Sequence, residues 1–232
     1  MVIAVVLAVV FSGGSGSSSA WPSQAQPQAD WINGGTQTQA LLGGIPQHGL
    51  TLGSPSAPAT MVVYVDLQCP YCAQFETTVF PDIVKNYVRT GKLKVVLRPL
   101  AFLGPDSVTG RNALIAASLQ NKAFNFSALN YDNWQTENTG WLNDAFVKNV
   151  AESIPGIDPS TVDAQRSLAS TANAGKTVDG EATAANVTGT PTVFVGTSLG
   201  NVHLVTAPGS TQPMAPTDEA TLVAAIKSAL GK

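Results

Sequence analysis

The fold is decided by one stretch of the chain, Met61-Val62-Val63-Tyr64-Val65-Asp66-Leu67-Gln68-Cys69-Pro70-Tyr71-Cys72. Its first part is an uninterrupted apolar run rich in β-branched residues, and we predict a buried strand over Thr60–Val65. Its last part holds the only two cysteines of the chain. A strand that leads straight into Cys-x-x-Cys at the start of a helix is typical of a redox dithiol, in which one sulfur is the nucleophile and the other resolves the exchange.

The position of the first cysteine predicts its reactivity. An ordinary cysteine has a pKa of ~8.5, so little of it is thiolate at neutral pH. Cys69 is expected at a helix N-terminus, where unpaired N–H groups and the helix dipole can lower a cysteine pKa to roughly 3.5–7.5. Pro70 fits the first helical position, which has no use for an N–H. Cys72 lies one turn further in and is expected to be less exposed.

Two structural roles compete with redox chemistry. A zinc site normally needs four ligands, and the chain has only His48 and His203 to add to the cysteines. These histidines are far apart in sequence and lack the spacing of a zinc finger, so we expect no metal. An inert disulfide between Cys69 and Cys72 would close a very short ring and would stabilise the fold little.

The segments around the motif predict a strand–helix–strand unit. The helix that starts at Cys69-Pro70 continues to about Val88, with a kink at Pro81 and an end at Gly91. The run Leu93–Leu97 predicts a second buried strand. Its parallel pairing with the first strand requires the helix as a crossover.

Residues 105–185 differ in character, with helix-period apolar spacing and few strand signals. The predicted helices are Val108–Leu119, Phe124–Tyr131, one along Trp141, Ala145, Phe146 and Val150, one that starts at Asp158-Pro159, and one, broken near Gly175 and Gly180, that leads to Asn186. This helical block interrupts an otherwise continuous small α/β domain.

The end of the chain returns to strand and helix. Thr192–Val195 and Val202–Val205 predict an antiparallel hairpin. The last helix is predicted with Thr217 as its N-cap and Gly231 at its end.

A second motif, Gly189-Thr190-Pro191-Thr192, leads into the first strand of that hairpin. A proline at the head of a strand is permitted but needs a reason. Cys-Pro-Tyr-Cys after a strand, paired with a distant Gly-Thr-Pro-Thr before a strand, resembles the thioredoxin superfamily, and the helical block between them resembles its DsbA-like branch. The resemblance covers roughly Gly49 to Leu230. It implies an α/β class with a thioredoxin fold and an inserted α-helical domain.

The resemblance also implies roles for the motif residues. Cys69 would be the nucleophile and Cys72 the resolving thiol. Pro191 would be a cis proline packed against the dithiol, although spacing alone favours an ordinary trans proline. The backbone of Thr190 would pair with an extended segment of substrate, as in strand addition.

Four further residues stand near the dithiol. Pro70 and Tyr71 are placed on the substrate-binding side, where the Tyr71 hydroxyl could modulate the thiolate. Asp66 is a candidate proton relay that would take a proton from Cys72 during exchange. A strand-end carboxylate that is merely solvated or capping is the simpler interpretation of Asp66. Glu76 is interpreted as a solvated helix residue.

The N-terminus predicts export. Val2–Phe11 is an apolar run of ten residues, and its helical length of roughly 15 Å suits a signal peptide better than a membrane span. Ser18 and Ala20 have the spacing of a cleavage site before Trp21, while no Lys or Arg precedes the run. A short retained anchor and a buried strand are the alternatives. Disulfide chemistry belongs in oxidising compartments, so we expect a periplasmic or cell-envelope location.

Composition limits the classes of function. Apolar residues make up 44% of the chain, which is enough for a substantial core. The net charge of −3 gives no basic face for nucleic acid. No Gly-rich phosphate loop follows a strand, so no cofactor is expected beyond the redox-active disulfide Cys69–Cys72.

These features divide the chain into five segments. They are a signal peptide or short anchor (1–20), a flexible linker (21–48), the first half of the thioredoxin fold with Cys-Pro-Tyr-Cys (49–104), the helical insertion (105–185) and the second half with the cis-proline loop (186–232). The linker is predicted from its Gly, Ser, Gln and Pro content.

The resemblance implies an exported thiol-disulfide oxidoreductase that forms disulfides in secreted, folding proteins with cysteines. A membrane quinone-linked protein, DsbB-like or VKOR-like, would reoxidise it. The nearest alternative is a reductase or isomerase on the same fold. Cys-Pro-Tyr-Cys also resembles the glutaredoxin site, with glutathione as partner, but the length, the insertion and the signal-like N-terminus argue against it.

The oligomeric state and a non-redox role are separate questions. Isomerases of the superfamily usually carry a dimerisation domain, for which residues 21–48 are too short and polar, which argues against an isomerase. We expect a monomer. A redox-inert module that holds extended peptide beside Pro191, as a chaperone does, is the alternative from another class.

Overall fold

A central sheet organises residues 32–232, the part of the chain that the computed structural model describes. Its strands are β1 (Gln47–His48), β2 (Thr51–Leu52), β3 (Ala59–Val65), β4 (Leu93–Pro99), β5 (Thr192–Ser198) and β6 (Asn201–Leu204). Their order across the sheet is β1-β2-β4-β3-β5-β6. β3 and β4 are parallel, and the other neighbouring pairs are antiparallel. The predicted parallel pair and hairpin are confirmed.

The middle of the sheet is β3, the strand that ends beside the cysteines. All of its residues are buried, because both faces of the strand are covered, and its sequence is therefore an unbroken apolar run. Met61, Val63 and Val65 belong to the main core. Val62 and Tyr64 belong to a smaller cluster on the other side of the sheet. A slip of one residue would exchange the two sets, so the packing of these different side chains on each side, together with the pairing of β3 with β4 and β5, sets the register of the chain that leads to Cys69.

Helices cover the sheet and form the inserted block. They are α1 (Gly35–Leu42), α2 (Pro70–Thr78), α3 (Phe80–Ile83), a π-helical turn (Val84–Val88), α4 (Pro105–Ser118), α5 (Ala123–Asp132), α6 (Asp144–Glu152), α7 (Pro159–Arg166), α8 (Ala169–Ala184) and α9 (Glu219–Ala229). Helices α4 to α8 stand between β4 and β5 in the chain. The predicted α/β class with a helical insertion is confirmed.

The crossover between β3 and β4 is interrupted where the sequence predicts it. α2 ends at Thr78, and α3 starts at Phe80 with Pro81 in its first turn. Proline has no N–H for the preceding turn and its ring crowds that turn, so the long helix breaks just before it. Gly91 then turns the chain with a φ of 72°, and β4 begins two residues later.

The predicted break in the last inserted helix is wrong. α8 runs from Ala169 to Ala184 through both Gly175 and Gly180. Gly175 serves packing instead, because a Cβ atom there would lie 2.6 Å from the Arg111 side chain. The close approach lets the Arg111 guanidinium pair with the Asp179 carboxylate at 2.8 Å, which joins α4 to α8.

Two helices begin slightly away from their predicted starts. α6 is capped by Asn143, so Trp141 precedes the helix instead of lying in it. α9 is capped by Asp218, whose carboxylate accepts the N–H of Thr221 at 3.0 Å, so the predicted cap at Thr217 is wrong. Asn and Asp are stronger N-caps than Thr, which explains the choice between the two adjacent residues in α9.

The predicted flexible linker is wrong for residues 32–48, which hold α1 and β1. Thr38 and Leu42 of α1 are buried, and the Arg89 guanidinium donates to three carbonyls at the end of α1 at 2.6–3.2 Å. Composition concealed the helix because tertiary contacts, not propensity, stabilise so short an element.

The predicted signal peptide, with its cleavage before Trp21, lies outside the described residues, as does the linker up to residue 31. Within residues 32–232, no helix is both long and apolar enough to cross a bilayer. Export stays a prediction from the sequence.

Candidate active site

Cys69 stands at the start of α2, as predicted. It is the N-cap residue of the helix, and Pro70 is the first helical residue. Its N–H donates to the carbonyl of Asp66, directly after β3, at 2.9 Å. Both cysteines are free thiols, with 5% of Cys69 and 1% of Cys72 exposed. Cys72 is therefore less exposed than Cys69, as predicted.

The two thiols differ in acidity. A hydrogen bond from the Cys72 thiol lowers the pKa of Cys69 to about 6; burial opposes this shift, while the Thr190 side chain and nearby backbone N–H groups add to it. Burial, followed by the neighbouring Cys69 sulfur, raises the pKa of Cys72 well above its ordinary value. At neutral pH Cys69 is therefore mostly thiolate and Cys72 a thiol, which are the states that a nucleophile and a resolving partner need.

The second motif lies against the first. The Thr190–Pro191 peptide bond is cis, as the resemblance implied. When protonated, the Cys69 thiol donates to the Thr190 carbonyl, with 3.2 Å between sulfur and oxygen. The Thr192 hydroxyl donates to the Gly189 carbonyl at 2.7 Å and tightens the turn before β5. Two motifs separated by 121 residues thus form one site.

Asp66 is completely buried, so its interpretation as a solvated carboxylate is wrong. Its carboxylate accepts hydrogen bonds from the N–H groups of Gln68, Phe102 and Leu103 and from the Ser107 hydroxyl, at 2.7–3.1 Å. These donors satisfy the buried anion and tie the start of the insertion to the loop before the cysteines. Among residues 32–232 no hydrogen bond joins this carboxylate to Cys72. The proton-relay role of Asp66 stays a prediction.

Three consecutive backbone carbonyls before Cys69 each accept a hydrogen bond from a side chain of the insertion. The Tyr131 hydroxyl donates to the carbonyl of Asp66 at 3.0 Å, the Asn130 amide to that of Leu67 at 2.9 Å, and the Trp134 indole to that of Gln68 at 2.6 Å. We name these three side chains the carbonyl clasp. They satisfy backbone groups that β3 no longer pairs, and they fix the path of the chain into Cys69. No local sequence signal reveals the clasp, because its members lie more than 60 residues downstream.

Glu76 is buried, which contradicts its interpretation as a solvated helix residue. Only 9% of it is exposed, and it shares the buried face of α2 with Cys72 and Phe75. Burial, and secondarily the Asp132 carboxylate, raises the pKa of Glu76 to about 8. The signal was present in the sequence, because Glu76 follows Cys72 by four residues and therefore lies on the same helix face.

A groove of about 710 Å³ opens beside Cys69. We name it the Cys69 groove; its walls include Tyr71, Phe102, Leu103, Glu137, Val187 and Thr190. Pro70 borders it as well, so three of the four residues predicted for substrate binding, Pro70, Tyr71 and Thr190, line one concave surface, while Pro191 is not among its described lining residues. Tyr71 is 60% and Phe102 48% exposed, which is unusual for large apolar side chains and typical of a surface that binds a partner.

The zinc alternative receives no support from the structure. His48 on β1 and His203 on β6 lie at opposite edges of the sheet. In the described part of the chain, no three His, Cys, Asp or Glu side chains come together as a metal site requires.

A protein-family model described as "Thioredoxin" matches residues 47–203, which is more than half of the chain. The chain belongs to the thioredoxin family. The match runs from β1 into β6, so it includes both motifs and the helical insertion between them. Membership of the thioredoxin family confirms the resemblance that the two motifs carry.

Relatives by sequence have names that agree with a dithiol function. A protein of Bacillus cereus named "Probable disulfide bond formation protein D" is 30% identical over 111 residues, which are 47% of this chain and 51% of that protein. The "Disulfide bond formation protein D" of Bacillus subtilis is 27% identical over 116 residues, 48% of this chain and 51% of that protein. The chain thus spans about half the length of these curated relatives.

Solved structures match more of the chain. Oxidised BdbD from Bacillus subtilis superposes with a TM-score of 0.69 at 20% identity, over 81% of this chain and 98% of that one. The α-DsbA1 protein of Wolbachia pipientis gives a TM-score of 0.61 at 19% identity, over 84% and 96% of the two chains. At such identities the likeness concerns the fold, and it includes the helical insertion.

Proposed function

We propose that the protein is a DsbA-like thiol-disulfide oxidoreductase that forms disulfide bonds in secreted proteins outside the cytoplasm. The observation that carries the proposal is the unequal dithiol, in which an acidic Cys69 borders an open groove and a buried Cys72 keeps its proton. The names of the relatives support the same class of reaction. The signal-like run Val2–Phe11 supports export.

The reaction moves two electrons from a substrate dithiol to the protein. A substrate thiolate attacks the Cys69 sulfur of the oxidised protein, which forms a mixed disulfide and breaks the Cys69–Cys72 bond. The departing Cys72 sulfur takes up a proton. A second substrate thiolate then attacks the substrate sulfur of the mixed disulfide and releases the Cys69 thiolate. The substrate leaves with a disulfide, and the protein is left reduced.

The acidity of Cys69 favours this direction. A thiol with a lower pKa leaves faster, so the second step releases Cys69 readily. A stabilised thiolate also stabilises the reduced protein, which makes the disulfide a stronger oxidant. Asp66 stays our candidate for delivering or removing the Cys72 proton, because its buried carboxylate lies in the segment that leads to the dithiol.

Continued turnover requires an electron acceptor. We infer a membrane quinone-linked partner, DsbB-like or VKOR-like, that reoxidises the pair, and no bound cofactor beyond the disulfide. A monomer suffices, because the motifs and the groove come from one chain.

The exposed aromatic side chains of the groove favour a second candidate, a module that holds extended peptide without redox chemistry. Cys69→Ser separates the two functions. Peptide binding would survive this substitution, whereas disulfide exchange requires the sulfur.

The reduction potential of the Cys69–Cys72 pair tests the direction of electron flow. Equilibration with glutathione buffers should give a reduction potential of about −120 mV, which is the potential of a strong oxidant. A reduction potential of about −270 mV would indicate a thioredoxin-like reductant. It would overturn the assignment as a disulfide-forming enzyme but would not affect the fold.

A further inference from the structure

The Cys69 groove carries charge of one sign only. Its described lining is apolar or uncharged except for the Glu137 carboxylate and the Cys69 sulfur, and it contains no lysine, arginine or histidine. The aromatic rings of Tyr71 and Phe102 form exposed apolar surface on its walls. A substrate segment that enters this groove therefore meets apolar surface and a single fixed anion.

The loop that carries Glu137 is fastened to the residue that precedes Cys69. The Trp134 indole donates to the Gln68 carbonyl at 2.6 Å, and the Asn138 N–H donates to the Gln68 side-chain oxygen at 2.8 Å. Gln68 is itself completely buried. Glu137 lies between these two anchors, so hydrogen bonds on both sides tether its backbone to the residue before Cys69, and Glu137 and Cys69 both line the groove.

The Glu137 carboxylate is available to a partner. In the part of the chain that the structure describes, the ion pairs of lysine and arginine are made with other carboxylates. Glu137 is half-buried against the groove, which reduces the screening of its charge by water. An anion held at the wall of a binding groove without a cation of its own attracts a basic ligand.

We propose that Glu137 selects substrate cysteines that are followed or preceded closely by lysine or arginine in an extended, otherwise apolar segment. The inference rests on the proposed function, because it names the substrates of the same groove. The apolar walls receive the uncharged side chains, and Glu137 pairs with the basic one. Acidic substrates are disfavoured twice, by Glu137 and by the thiolate that Cys69 becomes when the disulfide opens.

The test compares three extended peptides that share a pair of cysteines and apolar neighbours and differ only in having Lys, Gln or Glu next to the cysteines. One equivalent of the oxidised protein is mixed with each peptide, the reaction is stopped with acid, and the second-order rate constant is obtained from the peptide disulfide formed. The Lys peptide should react roughly threefold faster than the Gln peptide, and the Glu peptide slower, at low salt. The preference should diminish at 1 M salt, where the screening length is about 3 Å.

Variants assign the preference to one carboxylate. In Glu137→Gln the rates for the Lys and Glu peptides should converge, and in Glu137→Lys their order should reverse. The matched control is Glu219→Gln, which removes the same charge from the first turn of α9 and should keep the wild-type ratio. Flanking charges also change the acidity of the peptide thiols, but that effect is common to all variants and cancels when their ratios are compared.

Two results would overturn the inference. One is equal rates for the three peptides with the wild-type protein, and the other is a Lys-to-Glu rate ratio in Glu137→Gln that is as large as in the wild type. Formation of the Gln peptide disulfide by the wild-type protein reports the proposed function separately, because this peptide offers no charge to Glu137. A protein that oxidises the Gln peptide without discriminating between the three peptides keeps the proposed function and loses the inference; one that does not oxidise it loses both.

Discussion

Cys69 and Glu76 lie on one helix and have pKa values displaced in opposite directions. The pKa of Cys69 falls from 9.0 to about 6, and that of Glu76 rises from 4.5 to about 8. The depressed Cys69 pKa stabilises the reduced protein fully above pH 9, and this contribution is lost as the pH falls through 6. The raised Glu76 pKa gives the opposite pH dependence. Its contribution to the free energy of unfolding is full below pH 4.5 and is lost as the pH rises through 8.

Replacement of Glu76 by glutamine should remove the destabilisation that the buried, charged carboxylate causes at high pH. The amide has nearly the shape of the neutral acid but carries no charge that burial can penalise. Below pH 4.5 the variant and the wild type should therefore have similar free energies of unfolding, and by pH 9 the variant should be more stable by the order of 2–5 kcal/mol. Urea unfolding of the oxidised protein across this pH range measures the difference without a contribution from the Cys69 thiolate.

The control for this prediction is Asp82→Asn. Asp82 lies further along the same crossover, with its side chain about half exposed, and its replacement should change stability by less than about 0.5 kcal/mol at every pH. A Glu76→Gln effect that is independent of pH would show that the carboxylate does not titrate with a raised pKa.

Residues whose role depends on a local motif were predictable from the sequence. The nucleophilic position of Cys69, the depth of Cys72 and the cis Pro191 follow from short patterns with a known geometry. The burial of Glu76 could have been inferred from its position four residues after Cys72. The environment of Asp66 could not, because its hydrogen-bond donors other than Gln68 lie more than 30 residues downstream.

Among the elements, the connection between β3 and α2 depends most on distant parts of the chain. The carbonyl clasp holds its backbone from one side, and the Asp66 carboxylate fastens it to the loop after β4 and to α4. The insertion is therefore part of the active site, since it fixes the segment on which Cys69 stands.

Removal of one donor of the clasp tests this coupling. Trp134→Phe keeps an aromatic ring but leaves the Gln68 carbonyl without the indole N–H, which should lower stability by ~1–3 kcal/mol. The looser helix start should also raise the pKa of Cys69 above about 6, towards its ordinary value. Alkylation of the reduced protein with iodoacetamide across pH measures this pKa directly.

The chain offers a matched control for the same substitution. Trp134 is partly buried and Trp141 is buried, but the indole N–H of Trp141 has no hydrogen-bond partner in the part of the chain that the structure describes. Trp141→Phe removes the same atoms without breaking a hydrogen bond, so it should leave the alkylation midpoint of Cys69 where it is. Equal shifts in the two variants would attribute the effect to lost packing instead of to the clasp.

Elements with strong local signals were predicted well. Pro81 breaks the crossover helix, and Asp158 with Pro159 starts α7, because capping and proline geometry act within one turn. The break expected in α8 and the linker expected over 32–48 were wrong for one reason. Tertiary contacts, from Arg111 against Gly175 and from Arg89 against α1, override local propensity there.

At the scale of the whole molecule, α1 is an N-terminal attachment that one arginine holds in place. Arg89→Met keeps much of the side-chain stem but removes the three donors to the end of α1. Because these bonds are exposed, the loss of global stability should be only about 1 kcal/mol. Amide hydrogen exchange in α1 should accelerate markedly while exchange in β3 stays slow.

Lys85→Met is the control for this change. Lys85 is on the π-helical turn that ends just before Arg89. It is largely exposed and pairs with Asp82 at 3.2 Å, so its loss should leave exchange in α1 unaltered. If exchange in α1 is as slow in Arg89→Met as in the wild type, the contacts of Thr38 and Leu42 hold the helix without the arginine.

The overall architecture could be predicted because two motifs bracket the helical block and fix the order of the central strands. The short strands β1 and β2 could not be predicted, because two residues each are too few to show an alternating pattern. β2 is a strand because β4 offers it an edge to pair with, and β1 in turn pairs with β2.

The 121 residues between Cys69 and Thr190 also separate the two halves of the site in time. A ribosome adds roughly 5–20 residues per second, so Thr190 is made roughly 6–24 s after Cys69. Throughout that interval Cys69 lacks the Thr190 carbonyl that faces it in the folded protein. The complete site, including the groove that Thr190 helps to line, can therefore assemble only once most of the chain has been made.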